Sequence, residues 1–262
     1  MHTLAETARL VFEDRDRHVS DPEFVDVPVG RLLSDEHIAA VRARLDPARR
    51  PPAPAPIQPG GDTCYLCAVD AAGNAVSLIQ SVYFDFGSGV VAGDSGVLLQ
   101  NRGAFFSLDP SHPNRLEPGK RTLHTLLPGM LLRDAGDGRG HRPWIVVGSM
   151  GGDAQPQIHA QFVSAVVDGG VDIRTAVAAP RWFVEPPDHF LPATDVHLEP
   201  RHAPGIAETL ADLGHHLVPT DAFDSDLGHQ HAIELVDGGP AAPDGSLAAT
   251  TDPRSAGLPA VW

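Results

Sequence analysis

The residues with the most pointed chemistry stand at a junction. Gly60-Gly61-Asp62-Thr63 follows a proline-rich run and opens an apolar, strand-like segment. A cut before Thr63 would leave a free α-amine beside that residue's own hydroxyl. An α-amine titrates near ~8, much closer to neutrality than a lysine, so it can take the hydroxyl proton as an intramolecular base. One residue would then supply nucleophile and base together. A threonine that merely begins a strand is the ordinary alternative, and Thr63 by itself does not separate the two. The chemistry is conditional on the Asp62–Thr63 bond opening, because an uncut nitrogen is an amide and cannot act as a base.

Other constellations offer less. Cys64 and Cys67 have C-x-x-C spacing, but zinc needs a second ligand pair and a redox motif opens a helix after a strand. Here the two lie in a strand-like run and point to opposite faces, so they are expected to be two buried small hydrophobes. His215-His216 and His229-Gln230-His231 would need acidic or sulfur companions that the sequence does not place, and a chain with 14 histidines produces such pairs by chance. No G-x-S-x-G elbow is present, and Gly87-Ser88-Gly89 lacks the strand-to-helix setting. Gly148-Ser149-Met150-Gly151-Gly152 has no lysine to serve as a phosphate loop. Nothing in the chain calls for a metal or a cofactor.

The elements that must position these residues are suggested by texture. Helical spacing of Leu4, Ala8, Val11 and Phe12 predicts a helix over 2–18, and Ser34-Asp35-Glu36 caps a second one through Leu45. Both read as surface helices. The stretch 47–61 is too proline-rich for helix or ladder and reads as a tether or exposed loop. TCYLCAVD (63–70), a turn around Gly73-Asn74 and AVSLIQSVYF (75–84) form a hairpin, with both arms apolar on both faces. Such strands are normally covered on two sides, which predicts the middle of a layered α/β sandwich. A short strand is expected at Val97–Leu99 and another at 144–150, the latter running into Gly151-Gly152 and a helix over about 156–167. Helices at 172–179 and 204–213 and strands near 215–219 and 231–237 follow.

Composition narrows the function classes. The formal charge is −15, and no basic stripe stands out that would suit a phosphate backbone, so nucleic acid is not an expected partner. No stretch approaches the ~20 consecutive apolar residues of a membrane span, and residues 1–18 are acidic and amphipathic, unlike an export signal. A soluble, cytoplasmic chain is the expectation.

Five stretches, in order, resemble the gamma-glutamyltransferase family. GDTCYLCAVDAAGNAVSLIQSVYFDFGSG, continued by VVAGDSGVLLQNRG, is similar to that family's processing site and first hairpin; PGKRTLHTLLPGMLL (118–132) is similar to its P-G-K-R stretch. GSMGGDAQPQ (148–157) resembles its glycine-pair loop, TTDPRSAGLPA (250–260) its closing D-x-R-x-x-G motif, and residues 14–37 the end of its large subunit. The resemblance implies an α/β fold: part of an N-terminal-nucleophile hydrolase αββα sandwich, with the large-subunit half missing. Residues 1–62 would be the end of a large-subunit-like segment, and 63–262 a small-subunit-like catalytic domain. Cleavage would fall between Asp62 and Thr63. Thr63 would be the nucleophile, Gly151 and Gly152 the oxyanion donors, and Ser81 the hydroxyl that holds the nucleophile. Pairing around Gly73 brings residue 81 or 82 opposite 63, so spacing alone leaves the register open by one.

Departures from the family pattern bear on substrate. Positions where the family carries Asn, Gln and Asp for the glutamyl α-amino and α-carboxylate groups hold Tyr83, Arg102 and Phe105, and its paired serines become His124 and Thr125. Losing a carboxylate and gaining an arginine disfavours an ammonium and favours an anion. An acylase-like acyl amide, such as glutaryl, suits Arg102 better than glutathione does, while a surface salt bridge is the plain alternative for that arginine. The expected activity is amide hydrolysis or acyl transfer on a small molecule, in a heterodimer with a large-subunit-like chain. The competing readings are a truncated, non-catalytic subunit and a free-standing binding module.

Overall fold

The computed structural model describes residues 1–47, 62–136, 138, 140–184 and 195–261. Helix α1 (His2–His18) is followed by a single turn, α2 (Val29–Leu32), and by α3 (Asp35–Ala43). Ser34 caps α3, its Oγ accepting the N–H of His37 at 3.2 Å. The face that α1 buries is Ala5 and Phe12; Leu4 and Val11 of the expected stripe are 44% and 50% exposed. The expected tether falls, apart from Pro47, outside the described residues.

Strands β1 (Asp62–Val69) and β2 (Ala75–Tyr83) form the hairpin, closed by Asp70, whose carboxylate accepts the N–H groups of Ala72 and Asn74. The register pairs Thr63 with Ser81, and a bulge at Val82 pairs Asp62 with Tyr83. Strands β3 (Gly129–Asp134) and β4 (His141–Ser149) come next, then α4 (Gln155–Val163), which ends in a π turn over Ser164–Asp168, and α5 (Ile173–Ala178). Beyond them lie β5 (Trp182–Val184), β6 (Asp195–Leu198), α6 (Ile206–Asp212), β7 (His216–Pro219), β8 (Gln230–Val236) and β9 (Ser246–Thr251). Expected Val97–Leu99 is not a strand: the loop makes one isolated bridge, Val91 with Leu98, because its glycines leave too few paired residues for a ladder. β3, β5, β6 and β9 are additions to the sequence reading.

The chain forms an α/β structure in layers. The antiparallel sheet β3-β4-β8-β9 is central, the hairpin lies on one face, and α4 and α5 lie on the other. Ile145 to Ser149 of β4 are therefore buried on both sides. Ile145 and Val147 join Phe162, Ile173, Val177 and Ala232 in the core beneath the helices. Each such side chain contributes about 1.5–3 kcal/mol by leaving water. Gly148 faces the hairpin: a Cβ there would sit 2.2 Å from the Tyr65 ring, so the close seating of hairpin on sheet requires a glycine. A second core joins Ala5 of α1 to Trp182, Val184, Val196 and Leu198 of the sheet β5-β6-β7.

The hairpin departs from expectation on one face. Tyr65, Cys67, Ser77 and Ile79 turn inward, whereas Cys64, Leu66, Val76, Leu78 and Gln80 are exposed. Leu66, Val76 and Leu78 are 47%, 50% and 42% exposed, so among the described residues the coverage predicted for both faces exists on one only. The same alternation corrects the cysteine reading. The two do face opposite ways, but Cys64 is exposed and Cys67 only half-buried.

Candidate functional site

The hairpin register decides which hydroxyls meet. Directly opposed residues share a face, and Thr63 Oγ1 lies 2.7 Å from Ser81 Oγ. Ser81 is a hub. Its Oγ accepts the N–H of Tyr83 at 2.9 Å and the Nη2–H of Arg102, also at 2.9 Å. The bulge makes that inward turn possible, placing Tyr83 at φ +80°, a conformation seldom adopted by a residue with a side chain.

Arg102 starts a 3-10 turn (Arg102–Phe105) held against the hairpin. Asn101 fastens it, donating its N–H to Val82 O and accepting that of Phe84, and Gln100 Oε1 accepts the N–H of Arg102. Only 5% of Arg102 is exposed, so the surface salt bridge that was its plain alternative is not what it makes. Nη1 donates to Thr125 Oγ1 at 3.0 Å, and the guanidinium carbon lies 4.8 Å from the centre of the Tyr83 ring. Its Nε is buried without a hydrogen-bond partner among the described residues. Burial lowers the guanidinium pKa, opposed by Tyr83 and Asp153. It nonetheless remains a cation, with two hydroxyls as its direct partners.

The other sequence-selected residues close round this cation. Tyr83 packs on Phe105 at 4.7 Å between centroids, and its phenol is pushed up to about 12, first by burial and then by Asp153. His124 Nδ1 accepts the N–H of Leu126, and burial followed by the charge of Arg102 holds the imidazole below its ordinary pKa. The nitrogen that accepts from Leu126 carries no proton, so the ring in this contact is the neutral imidazole.

β4 carries the chain from beneath the hairpin to Gly151 and Gly152, which have φ of +140° and +51°. Side chains seldom permit either value. Among the described residues neither glycine's N–H donates a hydrogen bond, which leaves two adjacent donors uncommitted. Asp153 follows them and forms an ion pair with Arg15 of α1, whose guanidinium stacks on Phe12 at 4.6 Å. The sequence reading missed this pair, and no local signal could have found it across 138 positions. The histidine pairs do not form a shared cluster: His231 stacks on Tyr65, and His216 pairs with Asp195.

The structure thus offers a hydroxyl pair beside an arginine that faces hydroxyls and, at the end of β4, two adjacent uncommitted amides; chemically, such a cation can hold an anionic group and such amides an oxyanion. Comparison with known proteins adds lineage. The chain is 38% identical over 256 residues to the glutathione hydrolase-like YwrD proenzyme of Bacillus subtilis, covering 98% of this chain and 46% of that protein. It is 39% identical over 260 residues to the oxamate amidohydrolase proenzyme of Klebsiella pneumoniae, covering 99% and 47%. The chain thus spans about half the length of these curated relatives. Among solved structures, the cephalosporin acylase from Bacillus halodurans superposes with a TM-score of 0.83 at 36% identity, covering 100% of this chain and 44% of that one. Gamma-glutamyltranspeptidase from Pseudomonas nitroreducens, complexed with L-DON, gives 0.61 at 28% identity, covering 76% of this chain and 98% of that one. The profile of the gamma-glutamyltranspeptidase family matches residues 1–262, and the chain, carrying an N-terminal-nucleophile hydrolase fold in part, belongs to that family.

Proposed function

We propose that this chain is the C-terminal half of an amide hydrolase that works through Thr63 after cleavage of the Asp62–Thr63 bond, on small amides bearing a carboxylate next to the scissile carbonyl. The observation that carries this reading is the chain of contacts from Thr63 Oγ1 through Ser81 Oγ to Arg102 Nη2. Laid end to end, its two links limit the separation of hydroxyl and guanidinium to 5.6 Å. An oxalyl-type amide, whose carboxylate is bonded directly to the reacting carbon, spans that gap. A glutaryl or gamma-glutamyl group, with its carboxylate several bonds away, must fold back to do so. That the relative at 39% identity is an oxamate amidohydrolase supports the same substrate class.

In this mechanism Thr63 Oγ attacks the acyl carbon while its proton passes to the freed α-amine, and the Gly151 and Gly152 N–H groups receive the oxyanion. The amine then protonates the leaving nitrogen, and water resolves the ester. Ser81 orients the attacking hydroxyl, Arg102 binds the carboxylate with Thr125 holding its fork, and Tyr83 and His124 shape the pocket as neutral groups. Residues 63–262 are 200 of the 262, a share equal to the 76% of this chain that the solved gamma-glutamyltranspeptidase chain covers, and a boundary at Thr63 fits that length. A large-subunit-like chain would complete the structure, and the apolar outer face of β1 and β2 is the surface suited to it.

Intact mass of the protein assembled with that partner tests the proposal. A fragment beginning at Thr63 is expected from the wild type, and a single uncut chain from Thr63→Ala. Oxamate should be turned over faster than glutaryl or gamma-glutamyl anilides. An active assembly with the Asp62–Thr63 bond intact would overturn the mechanism, and cleavage without turnover of any amide would favour a non-catalytic subunit.

A further inference from the structure

At the far end of α1 from Arg15, helical spacing puts His2 and Glu6 on one face, and residue 215, just before β7, meets them. His2 Nε2 lies 2.8 Å from the carbonyl oxygen of Asp46. Only a protonated ring nitrogen can donate to a carbonyl, so this contact fixes the tautomer: in the neutral ring, Nδ1 presents its lone pair. That Nδ1 lies 2.7 Å from His215 Nε2. One donor atom from each of His2, Glu6 and His215 can be chosen so that all three lie within 4.8 Å of one another. Two imidazoles and a carboxylate are a zinc-type donor set, and the carbonyl behind His2 is the kind of outer partner that orients a ligating histidine.

We propose that His2 Nδ1, a carboxylate oxygen of Glu6 and His215 Nε2 bind a divalent cation of the zinc class, with a solvent ligand in the fourth position, as a structural clamp between α1 and the sheet β5-β6-β7. Ligand atoms around a tetrahedral zinc stand about 3.3 Å apart, so the two ring nitrogens need part by only roughly half an ångström. The ion replaces the proton that the two rings share, and the guanidinium of Arg9, 3.2 Å from Glu6, remains as the outer partner of the carboxylate. The clamp sits where Ala5 already packs against Trp182 and Val184. It would therefore tighten an existing seam, at the opposite end of the helix from the Arg15–Asp153 pair. This assignment is independent of the reaction at Thr63.

Zinc titration of the metal-stripped 262-residue chain tests it, read by calorimetry and by thermal unfolding. One ion per chain is expected, with Tm rising on saturation. His2→Ala and His215→Ala should each weaken binding by roughly a hundredfold and abolish the Tm rise. Glu6→Gln, which keeps shape and removes the charge, should weaken it at least about tenfold, while His141→Ala, an exposed histidine outside the cluster, should leave it unchanged. Cobalt substituted for zinc should give the visible absorption of a four-coordinate site. Equal zinc affinity in wild type, Glu6→Gln and His2→Ala, or no binding by the folded wild type, would overturn the proposal.

Discussion

Two buried arginine environments sit in this chain and differ in one respect. Where β6, β9 and the segment between α5 and β5 meet, Arg254 forms a two-pronged pair with Glu199 at 2.7 and 2.8 Å and reaches Asp252 at 3.0 Å. Arg181 reaches Asp252 at 2.5 Å and also donates to the carbonyls of Leu227, Gly228 and Val177. Arg201 closes the cluster on Glu199 and stacks on Phe223. Burial pushes the Arg181 guanidinium down to about 10 against the pull of Asp252. Arg102 is as buried, yet its direct partners are Ser81 and Thr125. Burying a charge is costly unless it is paired. A cation given carboxylates by its own chain is part of the scaffold, whereas one whose direct hydrogen-bond partners are hydroxyls keeps the capacity to take an anion, the role proposed above for Arg102. The closing D-x-R motif, Asp252 and Arg254, belongs to the first kind.

Breaking the paired cluster should have the largest effect. Arg254→Met leaves Glu199 and Asp252 short of a partner and should cost about 3–5 kcal/mol in denaturant unfolding. Arg102→Met should change stability by less than about 1 kcal/mol, because no described carboxylate is left unpaired. If both variants lose the same stability, the two environments are alike and the contrast fails. In the processed, assembled protein, Arg102→Met should lower kcat/KM for oxamate by roughly 10–100-fold, the worth of one charge-assisted contact, with a much smaller effect on uncharged anilides. An equal loss on both substrates would mean that Arg102 does not read the carboxylate.

The smallest effect concerns acid. His159 is pushed down to about 4 by burial and then by Arg181, and His229 and His231 are lowered in the same direction, burial first. Groups held neutral in the folded state stabilise it fully above their ordinary pKa of about 6.5 and lose that contribution as pH falls toward 4. Tm should therefore decline between pH 6.5 and 4. A flat profile there would show that these rings do not sit in dry, positively charged surroundings.

Local pattern made much of this legible. The capped helix at Asp35, the hairpin and its Gly73-Asn74 turn, the strand into Gly151-Gly152 and the helix after it each have a period or a breaker to mark them. β5 and β6 are three and four residues long, too short for periodicity to show. β3 was hidden because GMLLRD alternates poorly and follows a proline. The hairpin suggested that residue 81 or 82 faces Thr63, and the choice was made at the turn, which pairs Val69 with Ala75 and carries that register unbroken to Thr63 and Ser81. Arg102 was noticed as a change of charge, while its distance from Ser81 depends on how Gln100 and Asn101 fold the intervening loop. The Arg15–Asp153 pair and the His2–Glu6–His215 meeting join distant segments, where tertiary packing alone decides.

The uneven faces of the hairpin also provide a built-in reporter. Cys64 looks out from the bare side, while Cys67 looks inward with its thiol pushed up to about 11 by burial, and so is nearly all unreactive thiol at neutral pH. A maleimide should then mark one sulfur quickly and spare its neighbour three positions on. The speed of that labelling would serve as a clock for the proposed large-subunit-like chain settling over Leu66 and Leu78, readable without any substrate.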